Sequence, residues 1–411
     1  MKSTVRRFAM LTALPLVIAG LAGLVVVAQT NTSTAGAKGS WVYVGTRGAP
    51  PRAGAPASEI EAYNKNPQGI YGLQLDEETG KLTMVGLQIP LAGVPWLLSH
   101  PTLPVIYAVD IEGDQTAPNN IYAFAVDAKT GSLRQLSKVT TGAPDATNLT
   151  IDVRSRTVFS AGYGDGDVTA FPIQADGSVG PAASSQKNYG DFKTPLASPR
   201  QEKVHAHGVA VDPTSRYVFS ADFGADRLFV YHFDPATRML SKADPPYIEY
   251  PPASAPRHLA FHPNGKFLYM NTNLSGELYS YAWDPKIGRL TQVERFSLFP
   301  AGYSGTSRNS AELLLSADGR FMYVSLRGND SIVVFSLDAS TGKAKEIQRV
   351  ASPGRSPWSM AMNPTGRWMV VVNQASKEAN VLKVDRNTGM LTATTESVPV
   401  PTPDTVVFKA K

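Results

Sequence analysis

The sequence predicts an all-β fold, a seven-bladed β-propeller whose ring is closed by the C-terminal strand pairing into the N-terminal blade. Three observations predict it. A turn motif recurs seven times at blade-length intervals, an apolar strand pair precedes the later copies, and one strand is left over at the C-terminus. The motif is DxxTGxL. It reads DEETGKL at 76–82, DAKTGSL at 127–133, DPATRML at 234–240, DPKIGRL at 284–290, DASTGKA at 338–344 and DRNTGML at 385–391, with a degenerate QADGSV at 174–179. The turn positions Gly80, Gly131, Gly177, Arg238, Gly288, Gly342 and Gly389 lie 46 to 61 residues apart.

The strand pair reads SHPTLPVIYAVD from Ser99, VDPTSRYVFSAD from Val211, FHPNGKFLYMNT from Phe261, LSADGRFMYVSL from Leu315 and MNPTGRWMVVVN from Met362, with a looser IDVRSRTVFSAG from Ile151. Each copy is a strand, a tight turn and a second apolar strand. A third strand, such as IYAFAV at 121–126 or IVVFSL at 332–337, alternates as a pleated strand requires and enters the DxxTG turn. A fourth strand follows. We call the four a to d, from the central channel outward. The first blade opens with a b strand, WVYVGT from Trp41, and lacks strand a. The segment TVVFK at 405–409 is free to supply it and so remove an exposed sheet edge.

Composition narrows the function. Thirty-four Gly and 31 Pro suit many short strands and turns. The absence of Cys excludes disulfides, thiolate catalysis and a lipoprotein anchor. Of the net charge of +5, Lys2, Arg6 and Arg7 supply three in the first segment, and the remaining basic residues are scattered. No basic stripe points to nucleic acid. Lys2, Arg6 and Arg7 followed by the apolar run 8–27 read as an export signal, with small-residue cleavage patterns ending at Ala28 or Ala37. Residues 1–37 are therefore read as signal peptide and linker, and 38–411 as one propeller domain. The protein is expected to be exported to the periplasm or beyond and to act as a monomer. Twenty apolar residues are also long enough for an uncleaved anchor, and the Arg6–Arg7 pair is compatible with twin-arginine export.

The repeat register places the site. Strands a and b run antiparallel, so every a-strand start and every b-strand end lie on one rim. The long connections 47–69, 111–120, 187–204, 243–256 and 297–310 fall on that same rim, and function collects on variable loops carried by a rigid scaffold. The a-strand starts bring Pro95, Thr147, His207, Arg257, Ala311 and Trp358, then Trp96, Asn148, Gly208, His258, Glu312 and Ser359. The b-strand ends bring Arg47, Ile111, Tyr163, Phe223, Asn273, Arg327 and Gln374, with Asp222 just before Phe223. His205, His207, Asp222, Arg257, His258, Glu312 and Arg327 therefore converge. Burying several charged groups at one mouth is costly without a ligand. The HxH spacing of His205 and His207 suits a metal pair, but the neighbouring arginines repel a cation; no metal and no cofactor are expected. GDGD at 164–167 falls in register as a b–c hairpin turn. His100 and His262 sit at a–b turns on the other rim.

Three strings carry a resemblance: VHAHGVAVDPTSRYVFSADFGADRLFVYHFDP, APRHLAFHPNGKFLY and AELLLSADGRFMYVSLRGNDSI. With the last blade, they resemble the bacterial lactonase propellers, a family that includes propeller-type 6-phosphogluconolactonases and is similar to fungal carboxymuconate-lactonising enzymes. The resemblance spans about residues 41–408. It implies that His205 and His207 match the family's PHxH histidines, with Val204 in place of the proline. Arg257 and His258 match its PRH motif, Glu312 its AEI glutamate, and Arg327 its NRG arginine. Where the family usually carries Asn-Glu after the b strand of blade five, one of its proposed catalytic acids, this chain has Thr272 and Asn273. The expected activity is hydrolysis of a sugar-acid or related lactone. His205 or His207 would act as base and Glu312 as a catalytic orienting group, with Arg257, His258, Arg327, Asp222 and Asn273 binding substrate. The second reading is a non-catalytic exported propeller that holds a small anionic ligand or an envelope partner.

Overall fold

In the computed structural model, which describes residues 39–48, 56–111, 118–192 and 198–409, the Asp that opens six of the seven repeat motifs builds its turn. Asp127 Oδ1 accepts the N–H groups of Lys129 and Thr130 and the Thr130 hydroxyl, all within 2.9 Å. Gly131 then adopts φ +68°, and a Cβ there would stand 2.4 Å from the Trp41 ring of the preceding blade. Only glycine meets both demands. Tyr43 of that preceding blade donates its hydroxyl to the Gly131 carbonyl at 2.6 Å. The recurring motif is thus a lock between blades as well as a hairpin turn. Tyr107 on Gly177 and Tyr323 on Gly389 repeat it at 3.0 Å.

Seven four-stranded antiparallel sheets result. Their innermost strands are Trp96–Ser99, Ala146–Asp152, Ala206–Val211, Pro256–Phe261, Ser310–Leu315, Pro357–Met362 and Pro403–Phe408. Each packs against the innermost strand of both neighbouring blades, which closes the ring. Six of the seven second strands, such as Val105–Val109 and Phe321–Leu326, are buried along their whole length, because each lies between two blades. Their alternate residues feed different interfaces: Val42 and Val44 pack toward the last blade, Tyr43 toward the second. Seven apolar clusters follow, one per interface. The outermost strands alternate instead, as one face meets solvent.

The closing strand is Pro403–Phe408, two residues earlier than read from the sequence, and it pairs with Gly39–Thr46 from Val42↔Phe408 to Thr46↔Pro403. Two connections differ from expectation. The 47–69 segment contains a short helix, Ala57–Lys65, where Ala, Glu and Lys favour a helix. The segment 243–256 is mostly strand: Met239–Glu249 continues beside Arg227–Asp234 across a bulge. The GDGD segment is a tight turn between Thr157–Gly162 and Asp167–Pro172. The leader reading lies outside the described residues.

Ring closure yields a direct test. Truncation before Pro403 leaves the Gly39–Thr46 edge unpaired and one interface half-built. The melting temperature should fall by well over 10 °C, as the loss of several buried side chains at roughly 2 kcal/mol each would require. A truncated protein that melts with the full-length one would contradict the closure.

Candidate active site

At the mouth of the ring, six of the seven innermost strands leave regular pairing. Gly208 pairs with Ala221 while Ala206 pairs with Asp222, so His207 is an extra residue. The same happens at Thr147, at Trp358 and at Asp404. In blade five Arg257 and His258 together face the single residue Asn271, and in blade six Ala311 and Glu312 face Ser325. These are β-bulges, which re-aim side chains and collect at barrel rims and active sites. Each expected a-strand position from Thr147 onward is a bulge residue or its neighbour. Backbone polar groups freed by the bulges are recaptured by side chains of the second strand: His258 N–H donates to Asn271 Oδ1 and Glu312 N–H to Ser325 Oγ, both at 3.0 Å.

The bulges assemble a chain of contacts across four blades. His207 Nε2 meets a guanidinium N–H of Arg257. Arg257 also donates Nε–H to the Ala311 carbonyl at 3.1 Å. His258 Nδ1 lies 3.1 Å from Glu312 Oε1, and Ser359 donates to Glu312 Oε2 at 3.1 Å. These partners set the histidine tautomers. A carboxylate can only accept, so His258 carries its proton on Nδ1 and leaves the Nε2 lone pair free. Arginine can only donate, so His207 accepts on Nε2 and carries its proton on Nδ1. His207 Nδ1, His258 Nε2 and Arg327 Nε are buried and have no hydrogen-bond partner among the described residues. The two imidazoles lie 5.4 Å apart, and Trp96 meets His258 edge-on at 5.1 Å. Trp358 is the platform for the cations: the Arg327 guanidinium lies 3.9 Å from its ring centre and that of Arg257 5.8 Å.

Burial governs the electrostatics. It holds His207 well below the usual histidine range, and the Arg257 charge adds to the effect. His258 is also pushed down by burial, against the opposing pull of Glu312. Burial pushes Arg257 down to about 10 and Arg327 well below its ordinary value, with Arg47 and Arg200 among the repelling neighbours. The mouth therefore offers concentrated positive charge, a neutral base and an uncharged N–H donor.

Three expected site residues sit differently. His205 is engaged at both ring nitrogens, Nδ1 to the Tyr163 carbonyl at 2.6 Å and Nε2 to Glu202 at 3.3 Å, and it stacks on Tyr163 at 4.2 Å. It is held against Tyr163 on the rim. Asp222 is fully buried: Oδ1 accepts the N–H groups of His205, Gly224 and Ala225, and Oδ2 accepts Asn188 Nδ2. It braces the strand entry and offers no oxygen to a ligand. Asn273 is buried too, donating Nδ2 to the Ser310 carbonyl at 2.7 Å, with Oδ1 unpartnered among the described residues. The sequence reading passed over Trp358 as a platform and Asp404 altogether. A cavity of about 820 Å³ runs through the channel between blades one, two, six and seven and reaches Trp96, Glu312, Ser359 and Thr405 at its inner end. It extends to Pro101, Asp318 and Lys409 on the other rim. The polar groups converge at the mouth, so we place the site there.

The chain matches the family model described as lactonase, seven-bladed β-propeller, over residues 42–408. It is 30% identical over 341 residues to the 6-phosphogluconolactonase of Bacillus subtilis, covering 83% of this chain and 94% of that one. Another 6-phosphogluconolactonase, from Formosa agariphila, is 28% identical over 333 residues, covering 79% and 90%. Among solved structures, the periplasmic gluconolactonase of Pseudomonas aeruginosa is 30% identical and superposes with a TM-score of 0.78, covering 90% of this chain and 99% of that one.

Proposed function

Because this chain belongs to the seven-bladed β-propeller lactonases, we propose that it opens the ring ester of a sugar acid at the bulged mouth, with His258 as general base and Glu312 as its orienting group. The observation that carries this reading is the Glu312–His258 pair, with a free Nε2 beside buried arginines. His258 Nε2 takes a proton from water as the water oxygen bonds to the lactone carbonyl carbon. Negative charge grows on the carbonyl oxygen, where Arg257, Arg327 and the His207 Nδ1–H are the available donors. The tetrahedral intermediate collapses, the ring C–O bond breaks, and the departing oxygen takes the proton back from His258. The product is an open-chain hydroxy acid, whose carboxyl group releases its proton to solvent and remains as a carboxylate between the arginines. This assignment moves the base from the HxH pair to His258, since His207 spends its Nε2 lone pair on Arg257 and His205 turns Nδ1 to the Tyr163 carbonyl and Nε2 to Glu202. Asn273 plays no part in it, because Glu312 supplies the carboxylate.

Substrate class follows from the same groups and from the relatives, two of which are named for gluconolactones with and without a phosphate. A polyhydroxylated aldonolactone suits a mouth rich in N–H donors and flanked by Trp96 and Trp358. We place the reaction outside the cytoplasm. The support is the leader, with Lys2, Arg6 and Arg7 ahead of the apolar run 8–27.

Glu312→Gln leaves His258 without its orienting carboxylate and should lower kcat on an aldonolactone by up to about 10²–10⁴, the worth of a correctly positioned base. Arg257→Ala should lower kcat/KM about ten- to hundredfold, the loss of a charge-assisted hydrogen bond. Arg238→Ala, in a c–d turn on the other rim, should leave turnover near wild type. No turnover of any lactone, together with tight binding of an aldonate, would assign the protein to the binding class instead.

The pH profile checks the base separately. His258 must be neutral to act, and burial sets its folded-state value below the ordinary 6.5. The acid limb of kcat/KM should therefore lie below pH 6.5, with a plateau above. Glu312→Gln removes a charge that favours the imidazolium, so the limb should move to still lower pH. A limb above 6.5, or one that moves upward in the variant, would exclude His258 as the base.

The export proposal predicts that the protein is recovered from the periplasm or medium with an N-terminus following Ala28 or Ala37. Full-length protein in the membrane pellet would instead support an uncleaved anchor.

A further inference from the structure

We infer that Arg47 is a specificity-determining residue that selects lactones bearing a second, exocyclic anionic group, and that Asp404 of the closing strand is the positioning residue that holds it. The inference rests on the lactonase reading of the same mouth.

Asp404 is the extra residue where Gly45 pairs with Thr405 and Thr46 with Pro403. It is therefore the first blade's counterpart of His207, Arg257 and Trp358. Arg47 follows the second strand of its blade as Arg327 follows its own, so it is the first blade's counterpart of that arginine. Asp404 is 2% exposed. Its Oδ1 accepts Gln374 Nε2 at 2.8 Å, and its Oδ2 lies 3.3 Å from Arg47 Nε. The Arg47 backbone N–H is fixed by the Thr402 carbonyl at 2.9 Å. One carboxylate thus ties together the two ends of the chain and the last blade.

The tie fixes Arg47 at the second-strand end on the rim of the mouth. Its side chain stays about a third exposed, and its far end stands only 3.6 Å from Asp145. Its charge reaches both Arg257 and Arg327. Asp404 in turn feels Arg47, Arg257 and Arg327 together. Like charges gathered in a partly dry mouth repel, and the arrangement persists where an anion is to be held. Hydrolysis of the ester makes one carboxylate, and Arg257 with Arg327 suffices for it. Arg47, held apart from that pair by Asp404 and Asp145 and still about a third exposed, matches a second anionic group on the substrate, a phosphate ester or a carboxylate.

The test compares δ-gluconolactone with 6-phosphogluconolactone and a glucarolactone on the full-length mature protein, in the wild type, Arg47→Ala, Asp404→Asn and the double variant. The wild type should prefer at least one anionic lactone by kcat/KM. In Arg47→Ala the preference over the neutral lactone should fall about tenfold, through KM. Asp404→Asn should move the preference in the same direction. The double variant should be no worse than Arg47→Ala alone, since the carboxylate acts through the arginine. Asp404→Glu should restore part of the preference, a rescue that general damage would not show. Which anionic lactone loses most distinguishes phosphate from carboxylate. Equal loss on neutral and anionic lactones in Arg47→Ala, or a wild type with no preference, overturns the inference while leaving the lactonase reading intact. Arg47→Ala decides the matter alone if Asp404→Asn fails to fold. Should the wild type turn over no lactone, the lactonase reading fails, and calorimetry with 6-phosphogluconate and gluconate on the same variants decides the role of Arg47.

Discussion

The pairing of Pro403–Phe408 with Gly39–Thr46 is the interaction on which the rest of the structure depends. Six blades are made of consecutive strands, but the first is made from both ends of the chain. Without that pairing, the cluster uniting Val42 and Val44 with Val370, Val372, Val406 and Phe408 has only part of its surface. The ring would then open at one interface. The same pairing carries the Asp404 bulge, so closure delivers a carboxylate to the mouth at the moment it completes the fold. Stability and site geometry are joined in one short strand.

The mouth works by displacing water from charge. Arg257, His207, His258 and Glu312 are all at least nine-tenths buried, and removing ions from water is expensive unless they are paired. Here the pairing is incomplete by design of the bulges. Each extra residue turns a polar group inward, and its neighbours satisfy only part of it. Part of the unspent hydrogen-bonding capacity sits on His207 Nδ1, His258 Nε2 and Arg327 Nε, which are the groups a hydrolytic transition state would use. In a low-dielectric setting such fixed donors act strongly and need no rearrangement during the reaction. The propeller's stiffness supports this, since the side chains stand on strands with apolar interfaces on both sides.

Much of this was legible in the sequence, and the rest was hidden for physical reasons. The DxxTG period revealed the blades because a turn with positive φ against a neighbouring aromatic tolerates little substitution, as Gly131 on Trp41 shows. The leftover C-terminal strand revealed closure. Counting positions found His207, Arg257, His258, Glu312 and Arg327. Counting could not show that the strands bulge there, because a bulge has no local composition. Nor could it show which nitrogen of each histidine is spent, so the base was sought in the HxH pair. Asp222 lies one residue from the mouth in register, yet its carboxylate turns back to brace the backbone of His205. Asp404 escaped because its strand lacks the a–b turn that aligned the other six. The helix Ala57–Lys65 sits between two blade strands, where periodicity gave no reason to look for one.

The central claim is that the bulged mouth is a lactone-hydrolysing site in which His258 is the base. A crystal structure with the open-chain aldonate product bound tests it most directly. The account predicts the product carboxylate between Arg257 and Arg327, with the hydroxyl that was the ring oxygen within hydrogen-bonding distance of His258 Nε2. An aldonate seated in the channel at the Asp318 and Lys409 end, or one whose carboxylate avoids both arginines, would contradict it.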